Sequence, residues 1–268
     1  MIKKNLNIIN NDIRDLGLPL GIRKFAKKCN TKILVQSNKK VKNILSNGSG
    51  IIVANHPAEA DVLAILGALK KREDVFLIIN SSFRKIIPKL DKHLIPVYLD
   101  SKGFKNFGGK IKTKILRIFH KTEIFKKEIE REKNIKSIKN AISKINKGAL
   151  VIIFPDGGNK RDNWFNGIGR LVHGIKNKKS FIVRAHIKGT SNFDYLRLFP
   201  FLGKLLPSFQ VTFAKAVEIE KIKKENPRET TLFLEKEYWQ WRGNYHLWSK
   251  LSKNYLWLRM LFLFLVTT

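Results

Sequence analysis

The sequence predicts an α/β fold: a mixed, largely parallel sheet flanked by helices, with amphipathic helices towards both termini. Three observations lead to it. Short apolar runs recur at Ile51–Val53, Asp74–Asn80, His93–Leu99 and Ala149–Phe154, with the length and branched content of buried strands. Between them lie stretches whose apolar residues recur at helical steps of three and four. Alternation of the two kinds of segment is the mark of α/β architecture.

The elements follow in order. Leu18, Ile22, Phe25 and Cys29 are spaced by four, three and four among Arg23, Lys24, Lys27 and Lys28, so residues 16–29 read as a basic amphipathic helix. Thr31–Gln36 has a strand's composition, and Lys39–Ser46 returns as a helix. Gly50 opens the strand Ile51–Val53. Beyond it, Pro57, Glu59 and Asp61 are residues that the first turn of a helix accepts. Ile111, Ile115, Ile118 and Phe119 suit a helix within 110–132. A clearer helix follows on Ile135, Ile138, Ile142 and Ile145, with Gly148 where a C-terminal cap belongs and a strand, Ala149–Phe154, directly after it. Near the end, Trp248, Leu251, Tyr255, Leu258 and Phe262 recur at steps of three and four beside Lys250, Lys253 and Arg259. That is the pattern of an aromatic, basic helix lying in a membrane interface or packed on a domain. Leu256–Val266 is eleven residues with Arg259 inside, short of the roughly twenty a crossing requires.

With 268 residues, no internal repeat and no Pro/Gly/Ser-rich linker, one domain with terminal additions is expected. Its parts are a basic helical segment at 1–48, a central domain at 49–226 and a C-terminal helical segment at 227–268. Lys and Arg number 53 against 21 Asp and Glu, a formal net charge of +32. Such a field attracts anionic lipid, nucleic acid or acidic partners; the abundance of Lys, Asn and Ile is also what a biased genome produces. Cys29 is the single cysteine, which excludes an intrachain disulfide and, lacking an activating motif, reads as a packing residue. Residues 1–12 have no uninterrupted apolar stretch, so a secretory signal is not expected and the cytoplasmic side is. No spacing of His, Cys or acidic residues suggests a metal set, and no cofactor is expected.

Two stretches carry chemistry. In Asn55-His56-Pro57-Ala58-Glu59-Ala60-Asp61 a histidine stands where a strand ends and an aspartate where a helix begins. A carboxylate so placed fixes an imidazole's tautomer and stabilises its protonated form; the same two residues also suit a polar loop and a helix dipole. In Phe154-Pro155-Asp156-Gly157-Gly158-Asn159-Lys160-Arg161 a strand ends in paired glycines followed by two cations. Backbone N–H groups there suit a phosphate or a developing oxyanion, and the sequence is equally that of an Asp-Gly turn.

Taken together these stretches resemble the glycerolipid acyltransferase family, which includes bacterial 1-acylglycerol-3-phosphate acyltransferases. Asn55 to Asp61 matches the NHxxxxD signature, and Phe154 to Gly157 matches FPEG with Asp156 in place of glutamate. Ser82–Ser101, with Pro88 and Val97-Tyr98-Leu99-Asp100, has the outline of the second motif. Trp164–Leu171 resembles the segment after FPEG, and Phe181–Thr190 the apolar fourth motif, with Arg184 where proline is usual. Val211–Phe213 resembles a late strand. Ser101 and Asn159 stand where the family carries arginines associated with the acceptor's phosphate.

The resemblance implies transfer of a fatty acyl group from acyl-CoA or acyl carrier protein to a lysophospholipid or related lipid. His56 would be the general base and Asp61 its orienting partner. Asn55, Asp156, Gly157, Gly158, Lys160, Arg161 and Arg170 are the expected substrate-binding residues. It also implies peripheral attachment to the cytoplasmic face of an anionic membrane. Nucleic acid is not an expected partner; the alternative from another class is an inactive basic protein that binds nucleic acid or anionic lipid. His93, His120, His173, His186 and His246 are expected to be surface or packed residues.

Overall fold

The computed structural model describes residues 2–56, 58–98, 125–157 and 164–243. Its centre is an eight-stranded sheet built from β1 (Ile33–Gln36), β2 (Gly50–Ala54), β3 (Val75–Asn80), β4 (Leu94–Val97), β5 (Leu150–Ile153), β6 (Phe181–Lys188), β7 (Phe209–Phe213) and β8 (Val217–Glu218). The order is β1-β7-β6-β2-β5-β3-β4, with β8 beside β6. β6, β2, β5, β3 and β4 run in one direction. β7 and β8 run against β6, and β1 is parallel to β7. The sheet is therefore mixed and largely parallel, as the apolar runs predict.

β2 lies at the centre and every one of its residues is buried, which is why it reads as a continuous apolar run without alternation. Its two faces feed different layers. Ile52 and Ala54 pack under α1 (Ile2–Leu16), α2 (Leu18–Lys28), α3 (Lys39–Asn47) and α4 (Asp61–Ala68). Past α5 (Pro88–Asp91), the other face meets α6 (Lys127–Asn146), α7 (Gly167–Gly174) and α9 (Pro227–Gly243), where Ile51 and Val53 join Ile145, Leu171 and Leu234. α8 (Pro200–Leu205) belongs to an excursion between β6 and β7.

The first helix, α1, lies in the segment expected to be helical but is not itself marked out by the sequence, because Asn5, Asn7, Asn10 and Asn11 lower its intrinsic propensity. Packing overrides that: Ile9 and Ile13 are buried against α2, and Gly21 of α2 lets the α1 backbone at Asp12 and Ile13 come within contact distance. Asp12, itself buried, holds Lys24 and Lys28. The cap expected at Gly148 is present. With φ near +106°, Gly148 donates its N–H to Ile145 O, and Ala149 donates to Lys144 O, the paired bonds of a Schellman ending. β1, drawn from before residue 49, is hydrogen-bonded into the same sheet as the central strands. Ile111, Ile115, Ile118 and Phe119, on which a helix within 110–132 is expected, lie outside the described residues, and residues 127–132 belong to α6; the aromatic helix from Trp248 also lies outside them.

Candidate active site

The five co-directional strands end on one edge, and Asn55, His56, Asp61, Asp156 and Gly157 lie there, where open α/β sheets place their ligands. After β2 the chain passes through Asn55 and His56 into a turn at Ala58–Ala60, and α4 begins at Asp61. Asp61 is wholly buried. Its Oδ2 accepts the Ala58 N–H at 2.8 Å and faces His56 Nδ1 at 3.1 Å. A carboxylate at the first turn of a helix is in a favourable field, and the Asp61 N–H returns a bond to Ala58 O at 3.2 Å. The bonds between Ala58 and Asp61 thus close a turn that brings both ends of the motif together.

The chemistry of the partners fixes the tautomer. A carboxylate oxygen accepts, so Nδ1 carries the proton and donates, which leaves Nε2 with its lone pair. Among the described residues Nε2 has no hydrogen-bond partner, and the imidazole is 20% exposed. The ring is held from the side by Phe154, stacked at 4.6 Å between centroids and 26° between planes. The first residue of the second motif therefore braces the histidine of the first. Asp61 Oδ1 is buried and has no partner among the described residues.

Asn55 turns its amide away from this pair. Its Nδ2 donates to Ile187 O at 3.0 Å, and its Oδ1 accepts the Ile187 N–H at 2.8 Å. β2 and β6 pair as far as Ala54 and Ala185, so the side chain extends the ladder by one rung and anchors the loop to β6. This engagement with Ile187 is that of a residue that holds the loop, one of the two roles its place beside His56 suggests.

Past Phe154, Pro155-Asp156-Gly157 form a tight turn. Gly157 has φ near +64° and its N–H donates to Phe154 O at 3.0 Å. That bond engages the Gly157 amide within the turn. Glycine is required by both the backbone angle and the Phe165 ring, which sits 2.7 Å from where a Cβ would be. Asp156 is half-buried beside it. Arg170 is exposed on α7, in the layer opposite α4, and none of its described contacts reaches His56 or Asp61. Gly158, Lys160 and Arg161 lie outside the described residues, as do Pro57, Asp100, Ser101 and Asn159.

Arg184, in the proline position, donates to Glu237 O at 2.8 Å and to the Glu237 carboxylate at 3.2 Å; it clamps α9 to the sheet. His93 donates Nδ1 to Val75 O, His173 shares a hydrogen bond with Thr230, and His186 is buried. His120 and His246 fall outside the described residues. Among the described residues no group of three or more His, Cys, Asp and Glu could hold a metal ion.

A small cavity of about 50 Å³ lies between α2 and the turn before Asp61, lined by Phe25, Cys29, Ala60, Leu63 and Leu198 among others. Sequence reading missed it because its walls come from distant segments. It also missed Tyr238, whose hydroxyl reaches Asn55 and Ala185 O from α9.

A family model described as Acyltransferase matches residues 32–201, and the chain belongs to that family. In structure it is similar to the 1-acyl-sn-glycerophosphate (LPA) acyltransferase PlsC from Thermotoga maritima. That likeness has 16% sequence identity over 92% of this chain and 79% of that chain, with a TM-score of 0.48. No curated protein matches the sequence.

Proposed function

We propose that this acyltransferase moves a fatty acyl group from a thioester, acyl-CoA or acyl carrier protein, to the hydroxyl of a lysophospholipid or related lipid. The observation that carries the reading is the His56–Asp61 contact at 3.1 Å, with the carboxylate fully buried and Nε2 left over. Binding alone has no use for an oriented base; acyl transfer does. Nε2 of His56 takes the proton of the acceptor hydroxyl as its oxygen attacks the thioester carbonyl. Asp61 stabilises the imidazolium that forms. The tetrahedral intermediate collapses, the C–S bond breaks, and the departing thiolate takes up the proton from His56. No covalent acyl-enzyme is needed. The Gly158 amide with Lys160 and Arg161 is our assignment for the oxyanion and the acceptor's anionic group.

Support for a lipid acceptor comes from the same edge. Between β6 and β7 the chain leaves the sheet at the carboxyl end of β6, which is parallel to β2. The excursion exposes Phe193, Tyr195, Phe199, Leu202 and Leu205 beside Lys204, an aromatic, apolar and basic mixture that suits a lipid interface. Among the described residues no helix is long and apolar enough to cross a membrane. The attachment we propose is peripheral, on the cytoplasmic face, drawn by the charge of +32. Vesicle sedimentation should show binding to anionic phosphatidylglycerol that weakens with salt and is absent on phosphatidylcholine.

The decisive assay uses the purified chain, long-chain acyl-CoA and acyl carrier protein thioesters, and a panel of lysolipids. Acyl transfer to at least one lipid acceptor is expected. Acyl release without an acceptor product would instead make it a hydrolase. Inactivity across the panel, with salt-sensitive binding to duplex DNA or RNA, would favour a basic binding protein.

A further inference from the structure

We propose that Tyr238 of α9 is a positioning residue for the His56–Asp61 pair, acting through Asn55; the proposal rests on the acyl-transfer reading above. Tyr238 lies 183 residues from Asn55 in sequence and beyond the segment matched by the family model. Its side chain is 1% exposed. The hydroxyl oxygen is 3.0 Å from Ala185 O and 3.3 Å from Asn55 Oδ1.

The direction of these bonds follows from the backbone. Ile187 N–H can only donate and Ile187 O can only accept, which fixes which end of the Asn55 amide is oxygen. Tyr238 therefore faces two acceptors and its single proton is shared between them. Burial also pushes the phenol well above its ordinary pKa, which keeps that proton in place. Asn55 immediately precedes His56, so the lateral position of the imidazole depends on how firmly the amide is held.

The ring of Tyr238 reaches the second motif as well. It packs 5.3 Å from Trp164, the neighbour of Phe165, whose N–H donates to Pro155 O and whose ring closes over Gly157. One side chain thus touches the anchors of both loops at the carboxyl edge. α9 supplies a fixed base for it. Arg184 ties Glu237 to β6, Thr231 Oγ1 accepts the Gly169 N–H, and Thr230 bonds His173. Burial of a large aromatic explains the ring by packing alone; the hydroxyl adds a proton shared between Ala185 O and the amide that continues the β2–β6 ladder.

Tyr238→Phe keeps the ring between Trp164 and Trp241 and deletes only the shared proton. The expected result is a kcat lower by about tenfold with KM for donor and acceptor unchanged, since small misplacements of a base act on the chemical step. The His56 ring-nitrogen resonances, read by NMR, should shift in the same variant. In an Asn55→Ala background, Tyr238→Phe should cost nothing further, because coupled residues are not additive. Unchanged kcat and unchanged His56 resonances in a folded Tyr238→Phe protein would overturn the proposal. So would full additivity with Asn55→Ala. If Tyr238→Phe does not fold, Asn55→Ala alone decides: His56 resonances identical to the parent would overturn the route through Asn55. If the parent transfers no acyl group, the functional reading fails by itself, and the His56 resonances still judge the positioning role.

Discussion

The two edges of the parallel strands treat their polar groups in opposite ways. At the amino edge, the buried guanidinium of Arg72 donates to Leu45 O at 2.8 Å, to Gly48 O at 3.0 Å, and to both oxygens of Asp74 at 2.8 and 2.6 Å. One side chain ties together the entrances to β2 and β3, with Gly148 before β5 at 3.5 Å. Nearby, Ser49 donates to Ile145 O, and its hydroxyl is 3.2 Å from that of Ser180. At the carboxyl edge, Asp61 Oδ1 and His56 Nε2 have no partner among the described residues. Saturation is what a structural network shows, and unspent hydrogen-bonding capacity beside an oriented base is what a reacting group needs. This contrast is what the proposed acyl transfer calls for: a closed amino edge and, among the described residues, unspent capacity at the carboxyl edge.

Removing a group from each end should separate the two roles. His56→Ala is the largest effect expected: a loss of about 10³-fold or more in kcat/KM, with a smaller loss of about 1 kcal/mol in urea unfolding, because Asp61 Oδ2 keeps the Ala58 N–H while losing the imidazole. Full activity in this variant would sink the mechanism. Arg72→Met should do the reverse. It strands three backbone carbonyls and the Asp74 carboxylate, for a cost of about 3 kcal/mol in urea unfolding. The folded fraction should keep the parent's kcat. A fall in kcat without a fall in stability would show that the two edges are not separable.

Asp61→Asn sharpens the contrast, since it deletes in a single step a buried carboxylate and the charge that the proposed mechanism uses. An amide oxygen in the place of Oδ2 can still accept from both Ala58 N–H and His56 Nδ1–H, but it carries no charge to offset an imidazolium. We expect kcat to fall by about 10²-fold while the melting temperature stays level or rises, because a wholly buried carboxylate with an unpaired oxygen costs stability. A drop in melting temperature as large as that of Arg72→Met would assign Asp61 to the structural network.

What could be read from the sequence divides along the same line. The histidine, the aspartate and the turn at Gly157 were legible because each is local: a spacing of five, a strand's end, a glycine where φ must be positive. The strands were legible because central parallel strands are apolar on both faces. Arg72 was hidden in Lys70-Lys71-Arg72-Glu73-Asp74, a charge run that reads as a solvated loop, and only the convergence of three strand entrances buries it. Asn55 read as a companion of His56, yet its partner is Ile187, brought alongside by the β2–β6 pairing. Tyr238 has no local signal at all, since its meaning lies in a contact made by a helix beyond the last strand.

The smallest effect tests the amino edge by pH. Burial alone would push the Asp74 carboxyl up, but the hydrogen bonds and charge of Arg72 outweigh it and hold the group below its ordinary value. A carboxyl with a lowered folded pKa contributes stability above its unfolded pKa, about 3.9, and loses it as pH falls through the folded value. Because the Asp74 side chain is 49% exposed, solvent screening reduces this contribution to about 0.5 kcal/mol at most. The parent should therefore lose slightly more stability than Asp74→Asn when urea unfolding is compared at pH 6 and near pH 3. Placing both substitutions in one chain isolates the pair: once Arg72→Met is present, Asp74→Asn should no longer weaken the protein, because the carboxylate then has no guanidinium to meet. If Asp74→Asn remained costly in that background, the carboxylate would be held by something other than Arg72, and the amino edge would owe its closure to the serine contacts instead.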